Sequence, residues 1–460
     1  MPEQELDQPA VPDGPPGGSA LRARSVSRAE GLSPFRALQR VLYRSAKQDP
    51  RRRFHALYDH VARSDVLVQA WAAVRANRGA PGVDGVSIAE VEASGVGEFL
   101  QQIAVDLRAG SYRPAPLRRV RIPKPGQPDK TRPLSIPTVR DRVVMAAARS
   151  VLEPIFEAQF LPCSFGFRPK RSVHMALDAM RAEVRRGREW VLDADLADCF
   201  GSLDREAVMA QVARRVSDRR MLKLIRSWLR VGVLEEGMLA EMSTGTPQGS
   251  PISPLLCNVA LHVLDVEWTA RHSGLGVLVR FADDLVVCCA SRARAEEARA
   301  RVAAIVAPLG LRLHPDKTRI VYLAGGVGGF DFLGFHHRKK RSRRRPGVFY
   351  LASWPSNRAM RSVRTKVREA TARRNVSRPV EDVVADLNRV LRGWGSFFNW
   401  GNPEQKFWDI DRYVYERLQR FLRNKHGPSL GRRRIYRSYP RLGVHRLSGP
   451  SRAHPAHALR

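Results

Sequence analysis

Two adjacent carboxylates, Asp283 and Asp284, give the clearest chemical signal in the sequence. They lie between two short runs of β-branched and aliphatic residues, 277–279 and 285–287, and this pattern predicts two strands joined by a tight turn. Carboxylates this close repel each other, and a divalent metal ion would relieve that repulsion in a site for metal-assisted phosphoryl transfer. The alternative is that Asp is simply a common turn residue. The pair alone favours the turn, and the rest of the chain reverses that preference.

A third carboxylate and a polar loop complete the pattern. Residues 191–198 predict a strand that follows a basic helix, and Asp193 and Asp195 share one face of it because side chains alternate. The loop is 245–254, with Pro-Gln-Gly at its centre. One Asp at a strand end and two at a neighbouring hairpin could hold two Mg²⁺ ions about 3.5–4 Å apart. Oxygen ligands without a His cluster favour Mg²⁺ over zinc.

The net charge limits the class of partner. Lys and Arg number 79 against 45 Asp and Glu, giving +34 and an isoelectric point near 11.2. A field of this sign favours a polyanion, usually nucleic acid. No membrane partner is expected, because no run of about 18 residues is wholly apolar and residues 1–18 lack the apolar core of a signal peptide. The five cysteines form no CxxC pair and are expected to be small buried side chains.

Hydrophobic periodicity indicates the elements that must position these residues. Helical patterning runs from Pro34 to Arg75, and further helices are predicted over 143–156 and 292–308. Residues 339–345 contain six basic residues in seven, either a solvated loop or, as the net charge favours, a contact with nucleic acid. A further helix is predicted from an apolar stripe with arginines on its other faces. The stripe consists of Met360, Val363, Val367 and Ala370, and the arginines are Arg358, Arg361, Arg364 and Arg368.

Together these segments resemble the palm of reverse transcriptases, in particular the group II intron-encoded type. The resemblance covers the chain from about residue 50 to its C-terminus. The matching segments are 77–85 for the N-terminal extension loop, 131–137 and 164–169 for the fingers, 195–200, 245–254 and 281–284 for the catalytic motifs, 310–318 and 332–335 for the later palm motifs, and 389–400 for the maturase domain.

The resemblance implies an α+β fold: a right-hand polymerase whose fingers and palm carry an antiparallel palm sheet, followed by an α-helical thumb/maturase domain. It divides the chain into five parts. These are a disordered tail at 1–32, the N-terminal extension and start of the fingers at 33–125, the fingers and palm at 126–337, the thumb/maturase domain at 338–427 and a basic tail at 428–460.

Residue roles follow from the resemblance by position. The catalytic and metal-binding set is Asp195, Asp283 and Asp284, with the carbonyl of Leu196 on the nucleotide-side ion. The residues expected to bind the nucleotide are Lys130, Arg132, Phe200, Gln248 and Lys317. Those expected to contact template or primer are Arg168, Gly249, Arg361 and Arg364. The two alternatives are that Lys317 is a surface lysine and that Arg168 is an ion-pair residue of the fold.

The aromatic residues of the maturase segment have their own alternatives. Trp394, Phe397, Phe398 and Trp400 are expected to form the core of the thumb helices, and base stacking is the other possibility.

The implied cofactor is a pair of Mg²⁺ ions, and the implied partners are an RNA template (an intron RNA), a DNA primer or target and dNTPs. The implied location is the bacterial cytoplasm, beside the nucleoid. Phe281 stands where the family commonly has Tyr, Gly201 where it usually has Asp, and no endonuclease module is expected. Three functions stay open: an active RNA-directed DNA polymerase, a non-catalytic RNA-binding maturase, and a free-standing reverse transcriptase in defence or repair.

Overall fold

The computed structural model describes residues 32–124, 127–235, 238–240, 249–342, 344–427 and 439–449. The predicted disordered tail at 1–32 lies outside the described residues, with the exception of Leu32. Gln248 and the side chain of Lys130 also lie outside them. The helices are α1 (Pro34–Gln48), α2 (Tyr58–Val61), α3 (Ser64–Ala76), α4 (Ile88–Ser94), α5 (Val96–Ala109), α6 (Val139–Glu157), α7 (Val173–Arg185), α8 (Cys199–Ser202), α9 (Arg205–Ala213), α10 (Arg219–Arg230), α11 (Ser253–Glu267), α12 (Arg292–Val306), α13 (Asn357–Ala370), α14 (Val380–Phe398) and α15 (Glu404–His426).

Eleven strands in the described ranges form three sheets. They are β1 (Leu117–Lys124), β2 (Gln127–Ile136), β3 (Trp190–Asp195), β4 (Val233–Glu235), β5 (Met238–Ala240), β6 (Gly276–Phe281), β7 (Asp284–Cys289), β8 (Arg319–Tyr322), β9 (Gly329–Phe332), β10 (Phe335–Arg341) and β11 (Phe349–Pro355). The mixed α/β character and the antiparallel sheets that the sequence predicts are confirmed. None of the helices in the described part is long and apolar enough to cross a membrane.

The central sheet has the order β6-β7-β3-β8, and all its neighbours are antiparallel. Alternate residues of its strands face opposite sides. Leu192 and Leu285 belong to a core that also contains residues of α11 and α12. Val191 and Val286 face a second core, shared with α7 and the β11-β10-β9 sheet. Burial on both faces leaves the strand ends as the open part of the sheet.

One local prediction from the sequence is wrong. Helical structure does not run on from Pro34 to Arg75, because α1 ends at Gln48 and the next residues, Asp49 and Pro50, cannot continue it. For the basic run at 339–345, the loop alternative does not hold for residues 339–341, which are the last residues of β10 and pair with β11.

The helices α13, α14 and α15 enclose a third core, which includes Met360, Val363 and Val367 of the predicted stripe. The segment 439–449 packs on this bundle, where the buried Asp411 carboxylate accepts hydrogen bonds from the backbone N–H groups of Leu447 and Ser448, both 2.9 Å. The bundle begins directly after β11, because Ser356 caps α13 and its N–H donates to the Gly334 carbonyl at 2.9 Å.

Candidate active site

The central sheet brings the predicted carboxylates together. Asp195 is the last residue of β3 and Asp284 the first residue of β7, and they stand opposite each other in the antiparallel register. Directly opposed residues have Cβ atoms about 4.5–5.5 Å apart and point to the same face. Both carboxylates can therefore reach one point at the edge of the sheet.

Asp283 lies in the two-residue turn between β6 and β7, since Phe281 pairs with Asp284. The turn begins at Ala282, whose φ of 57° is in the left-handed region that side chains other than glycine rarely adopt. Strain of this kind persists only where surrounding groups hold the backbone in place. Neighbouring segments must therefore fix this turn, and with it the position of Asp283.

One of these segments is the loop that contains Gly166. A Cβ added to Gly166 would lie 2.3 Å from the backbone nitrogen of Ala282, so only glycine allows this approach. The carbonyl of Gly166 in turn accepts a hydrogen bond from Asn258 Nδ2 at 2.8 Å. The turn is thus packed directly against another backbone, with no side chain between them.

The buried guanidinium of Arg280 holds the same turn from inside, and its five N–H donors all have acceptors in the protein. Its Nε donates to Asp265 Oδ1 at 2.8 Å, and one Nη2 bond reaches the other Asp265 oxygen. Nη2 also donates to Ser164 Oγ at 2.8 Å. Nη1 donates to Asn258 Oδ1 at 3.0 Å and to the Ala282 carbonyl at 2.9 Å. Arg280 and Asp265 are both fully buried.

Both members of this pair stay charged. Burial alone would lower the pKa of Arg280 and raise that of Asp265, but their attraction outweighs burial in each case. Sequence reasoning did not single out either residue. A signal was present, because an arginine inside a strand of otherwise apolar residues, and an aspartate inside an apolar helix, each imply a buried partner.

Two of the three carboxylates, Asp283 and Asp284, have pKa values above the ordinary range of an aspartate. The pKa of Asp284 is raised to about 7, first by desolvation of its carboxyl group and then by the charges of Asp283 and Asp195. Desolvation and Asp195 also raise the pKa of Asp283, while the charges of Arg132 and Lys317 oppose the rise. Asp193, paired with Arg319 at 3.1 Å, has a pKa raised to about 6, mainly by desolvation.

Two of the predicted cations reach the cluster. Lys317 Nζ lies 2.7 Å from Asp195 Oδ2 on a side chain that is 58% exposed. Arg132, on β2, is close enough to lower the pKa of Asp283. Lys317 lines a cleft of about 690 Å³ between the strand ends, the β9–β10 turn at Leu333–Gly334 and the start of α13. Two further cations, Arg319 and Arg358, line the same cleft beside the carboxylates.

The donor set fits a hard divalent cation, since every candidate ligand is oxygen. Leu196 could contribute only through its backbone carbonyl. Hydrogen bonds from Ala197 N to Arg312 O and from His314 N to Asp195 O flank the Leu196–Leu313 bridge, so the Leu196 carbonyl points away from it. Within the described residues, no three acidic, Cys or His side chains are already grouped as metal ligands. Asp195 is instead turned towards Lys317.

The other predicted residues differ in their distance from the cluster. Phe200 is buried on α8, five residues after Asp195 in the chain. Gly249 packs against β2, and a Cβ added to Gly249 would lie 2.8 Å from the carbonyl oxygen of Ser135. Arg361 and Arg364 are exposed on α13, with Arg364 5.6 Å from the Tyr413 ring.

Arg168 is not brought to the cluster. Its guanidinium is bound by both carboxylate oxygens of Glu157 and by the carbonyls of Phe160, Leu161 and Ser164, which together occupy all five of its N–H donors. These contacts agree with the alternative that Arg168 is an ion-pair residue of the fold.

Comparison with known families agrees with this geometry. Residues 122–337 match the family model described as reverse transcriptase (RNA-dependent DNA polymerase), and residues 360–439 match the maturase-specific domain of group II introns. The chain therefore belongs to the group II intron-type reverse transcriptase/maturase family, and the resemblance seen in the sequence is confirmed.

The relatives differ in how much of their length is matched. Protein YkfC of Escherichia coli is 34% identical over 66% of this chain and 89% of its own length. The group II intron-encoded protein LtrA of Lactococcus lactis is 34% identical over 51% of this chain but only 38% of its own. A solved Cas6-RT-Cas1–Cas2 complex matches 55% of this chain and 42% of its own at 23% identity, with a TM-score of 0.34 that supports no further conclusion.

Replacing Arg280 by Met should destabilise the protein by about 3–5 kcal/mol, because it leaves Asp265 charged and unpaired in the core. Urea unfolding would measure the change. The control is Arg271→Met, which breaks an exposed ion pair with Glu267 and should cost less than about 1 kcal/mol. Equal effects of the two substitutions would contradict the role given to the buried pair.

Gly166→Ala should lower catalytic activity far more than stability, because the added Cβ pushes on the backbone of the turn that carries Asp283. Gly274→Ala is the matched control, since a Cβ there has no neighbour within 4 Å. The steady-state rates of primer extension on an RNA template and the melting temperatures of both variants would be compared with those of the wild type. A fully active Gly166→Ala protein would show that the close approach does not position the turn.

The raised pKa of Asp284 predicts a pH dependence of stability. The folded protein keeps this proton up to about pH 7, whereas the unfolded chain, with a pKa of 3.8, has lost it. Without divalent metal, stability should therefore fall as the pH rises from about 4 to about 7. Asp284→Asn should stabilise the metal-free protein above pH 7 and change little near pH 4. Melting curves of both proteins across this range test the prediction, which a constant difference between them would contradict.

Proposed function

We propose that the chain is an RNA-directed DNA polymerase that adds deoxynucleotides to a primer 3′-hydroxyl, and that it also assists the splicing and mobility of a group II intron RNA. The observation that carries the catalytic proposal is the register that sets Asp195 opposite Asp284, with Asp283 in the adjacent turn. The central sheet would be the palm, β1 and β2 part of the fingers, and α13–α15 the thumb/maturase domain.

Two Mg²⁺ ions would be held by the carboxylates of Asp195, Asp283 and Asp284 and by the carbonyl of Leu196. When bound, such ions neutralise phosphate charge and lower the pKa of the attacking hydroxyl. The residues of the chain supply the geometry. The buried Arg280 network and Gly166 fix the turn, so that the carboxylates are in place before the substrate arrives.

The cations around the cleft would bind the triphosphate of an incoming dNTP. Lys317 has an exposed side chain, and its ammonium would leave Asp195 for a phosphate oxygen, where it would donate a proton to the departing pyrophosphate. Arg132 and Lys130 on β2 would bind the other phosphates. Phe200 would lie under the sugar and disfavour a 2′-hydroxyl, and Gln248 and Gly249 would lie against the template and the new base pair.

The exposed arginines of α13 would follow the nucleic-acid backbone away from the cleft. Arg358 lines the cleft itself, and Arg361, Arg364 and Arg368 continue along the helix, all exposed. An RNA template paired with a DNA primer offers phosphates at this position. The match to the maturase-specific domain supports an intron as the bound RNA. The place of action would be the bacterial cytoplasm, beside the nucleoid.

Asp283→Asn should abolish extension of a DNA primer on an RNA template in Mg²⁺, by at least about 100-fold, because the variant cannot neutralise the metal charge in the same way. Binding of the primer–template should stay nearly unchanged. Asp198→Asn is the control: it removes a nearby exposed carboxylate outside the cluster, and Asn tolerates its left-handed backbone. Extension at the wild-type rate by Asp283→Asn would falsify the assignment.

A further inference from the structure

A basic and aromatic surface lies at the end of the β10–β11 hairpin, away from the carboxylates. The hairpin runs from the Phe335–Pro355 pair, next to the cleft, to the Arg341–Phe349 pair. Seven paired positions at about 3.4 Å each span roughly 20 Å. Residues 338–342 and 344–350, here called the hairpin tip, therefore lie well outside the cleft, and the functions assigned above do not use them.

The two faces of the hairpin have opposite characters. Phe335 and His337 face inwards and are fully buried. The outward face carries Lys340 opposite Tyr350, and His336 opposite Trp354. The Lys340 ammonium lies 4.3 Å from the Trp354 ring centroid, so a cation is already held beside an aromatic surface. A sheet face of this composition offers rings for stacking and charges for phosphates.

The apolar residues of the tip are exposed although the core is close by. Val348, Phe349 and Tyr350 are 45%, 40% and 43% exposed. Because side chains alternate along a strand, Phe349 and Tyr350 expose one aromatic ring on each side of the hairpin. Aromatic rings among cations suit unpaired bases, whose faces are free to stack. In a duplex the base faces are already stacked on neighbouring bases, so the aromatic rings of the tip could not stack on them.

Four cations of the tip are also without acidic partners. Residues 338–350 contain no Asp or Glu. Among the residues that the structure describes, no carboxylate lies within ion-pair distance of Lys340, Arg341, Arg344 or Arg345. Lys339 is different, since it points inwards to Glu189 and anchors the strand. The unpaired charges favour a polyanion over an apolar protein partner.

We propose that the hairpin tip binds a single-stranded segment of RNA, with a base stacked on Tyr350 and phosphates on Lys340, Arg341, Arg344 and Arg345. This inference rests on the proposed function, because that function supplies RNA as the nucleic acid. It adds a second RNA contact, separate from the duplex in the cleft. A strand held there would extend the surface over which the protein grips its RNA.

The test is the binding of a fluorescent 12-nucleotide single-stranded RNA to the full chain, followed by anisotropy at several salt concentrations. A variant with Lys340, Arg341, Arg344 and Arg345 all changed to Ala should bind more weakly, with a salt slope shallower by up to about 3, since each phosphate contact contributes about 0.7. The matched control removes four exposed arginines of α12, namely Arg292, Arg294, Arg299 and Arg301, and so lowers the net charge equally. It should keep the wild-type slope.

The aromatic part is tested separately. Tyr350→Ala should weaken binding roughly 5- to 150-fold, whereas Tyr350→Phe, which keeps the ring, should bind like the wild type. Equal losses in the two four-residue variants, or wild-type affinity of Tyr350→Ala, would overturn the proposal. So would stronger competition by single-stranded DNA or by an RNA duplex than by the single-stranded RNA. Melting curves check that every variant is folded.

Primer extension by the wild-type protein separates this inference from the proposed function. If the wild type extends a primer but the tip variants bind RNA normally, only the inference fails and the surface belongs to another partner. If the wild type extends no primer, the proposed function fails, whatever the tip binds.

Discussion

The buried ion pair between Arg280 and Asp265 is the constraint on which the placement of the carboxylates depends. A charge left alone in the core costs several kcal/mol, and a guanidinium has five donors that all need acceptors. Here the acceptors come from α11, from the loop at Ser164 and from the turn carbonyl of Ala282. Satisfying one side chain therefore fixes three segments relative to one another, and the strained turn that carries Asp283 cannot move without breaking hydrogen bonds in the core.

This rigidity forces like charges together. Asp283 and Asp284 have raised pKa values, first because the fold partly desolvates their carboxyl groups and then because the backbone holds them near the charge of Asp195. Arg132 and Lys317 offset part of the repulsion, within a chain whose net charge is +34. A site with uncompensated negative charge in a positive protein suits a cation bound together with a polyanionic substrate, the combination that nucleotide transfer needs. The proposed chemistry thus uses a strain that the fold itself creates.

The helical bundle is held to the sheet by aromatic residues. Trp394 and Phe398 pack with residues of β9 and β10, and Trp400 Nε1 donates to Asp178 on α7 at 3.1 Å. The Arg181 guanidinium lies 3.7 Å from the Trp400 ring centroid. The sequence places these rings in the core of the helices, and Trp394 does contact that core, but together they also join the bundle to the sheet. The position of α13 beside the cleft therefore depends on the same core as the carboxylates.

The sequence by itself determined the parts of this protein that depend on neighbours in the chain. Short runs of β-branched and aliphatic residues specified β6 and β7, the stripe at Met360 specified α13, and the adjacent Asp283 and Asp284 indicated the turn of the hairpin. Only the tertiary structure decided that Glu157 binds Arg168. It also decided that Arg280 binds both Asp265 and Ser164, although Ser164 lies 116 residues before Arg280 in the chain. The physical reason is that periodicity reports which face of an element is buried, whereas a buried charge is satisfied by whichever segments the fold brings to it.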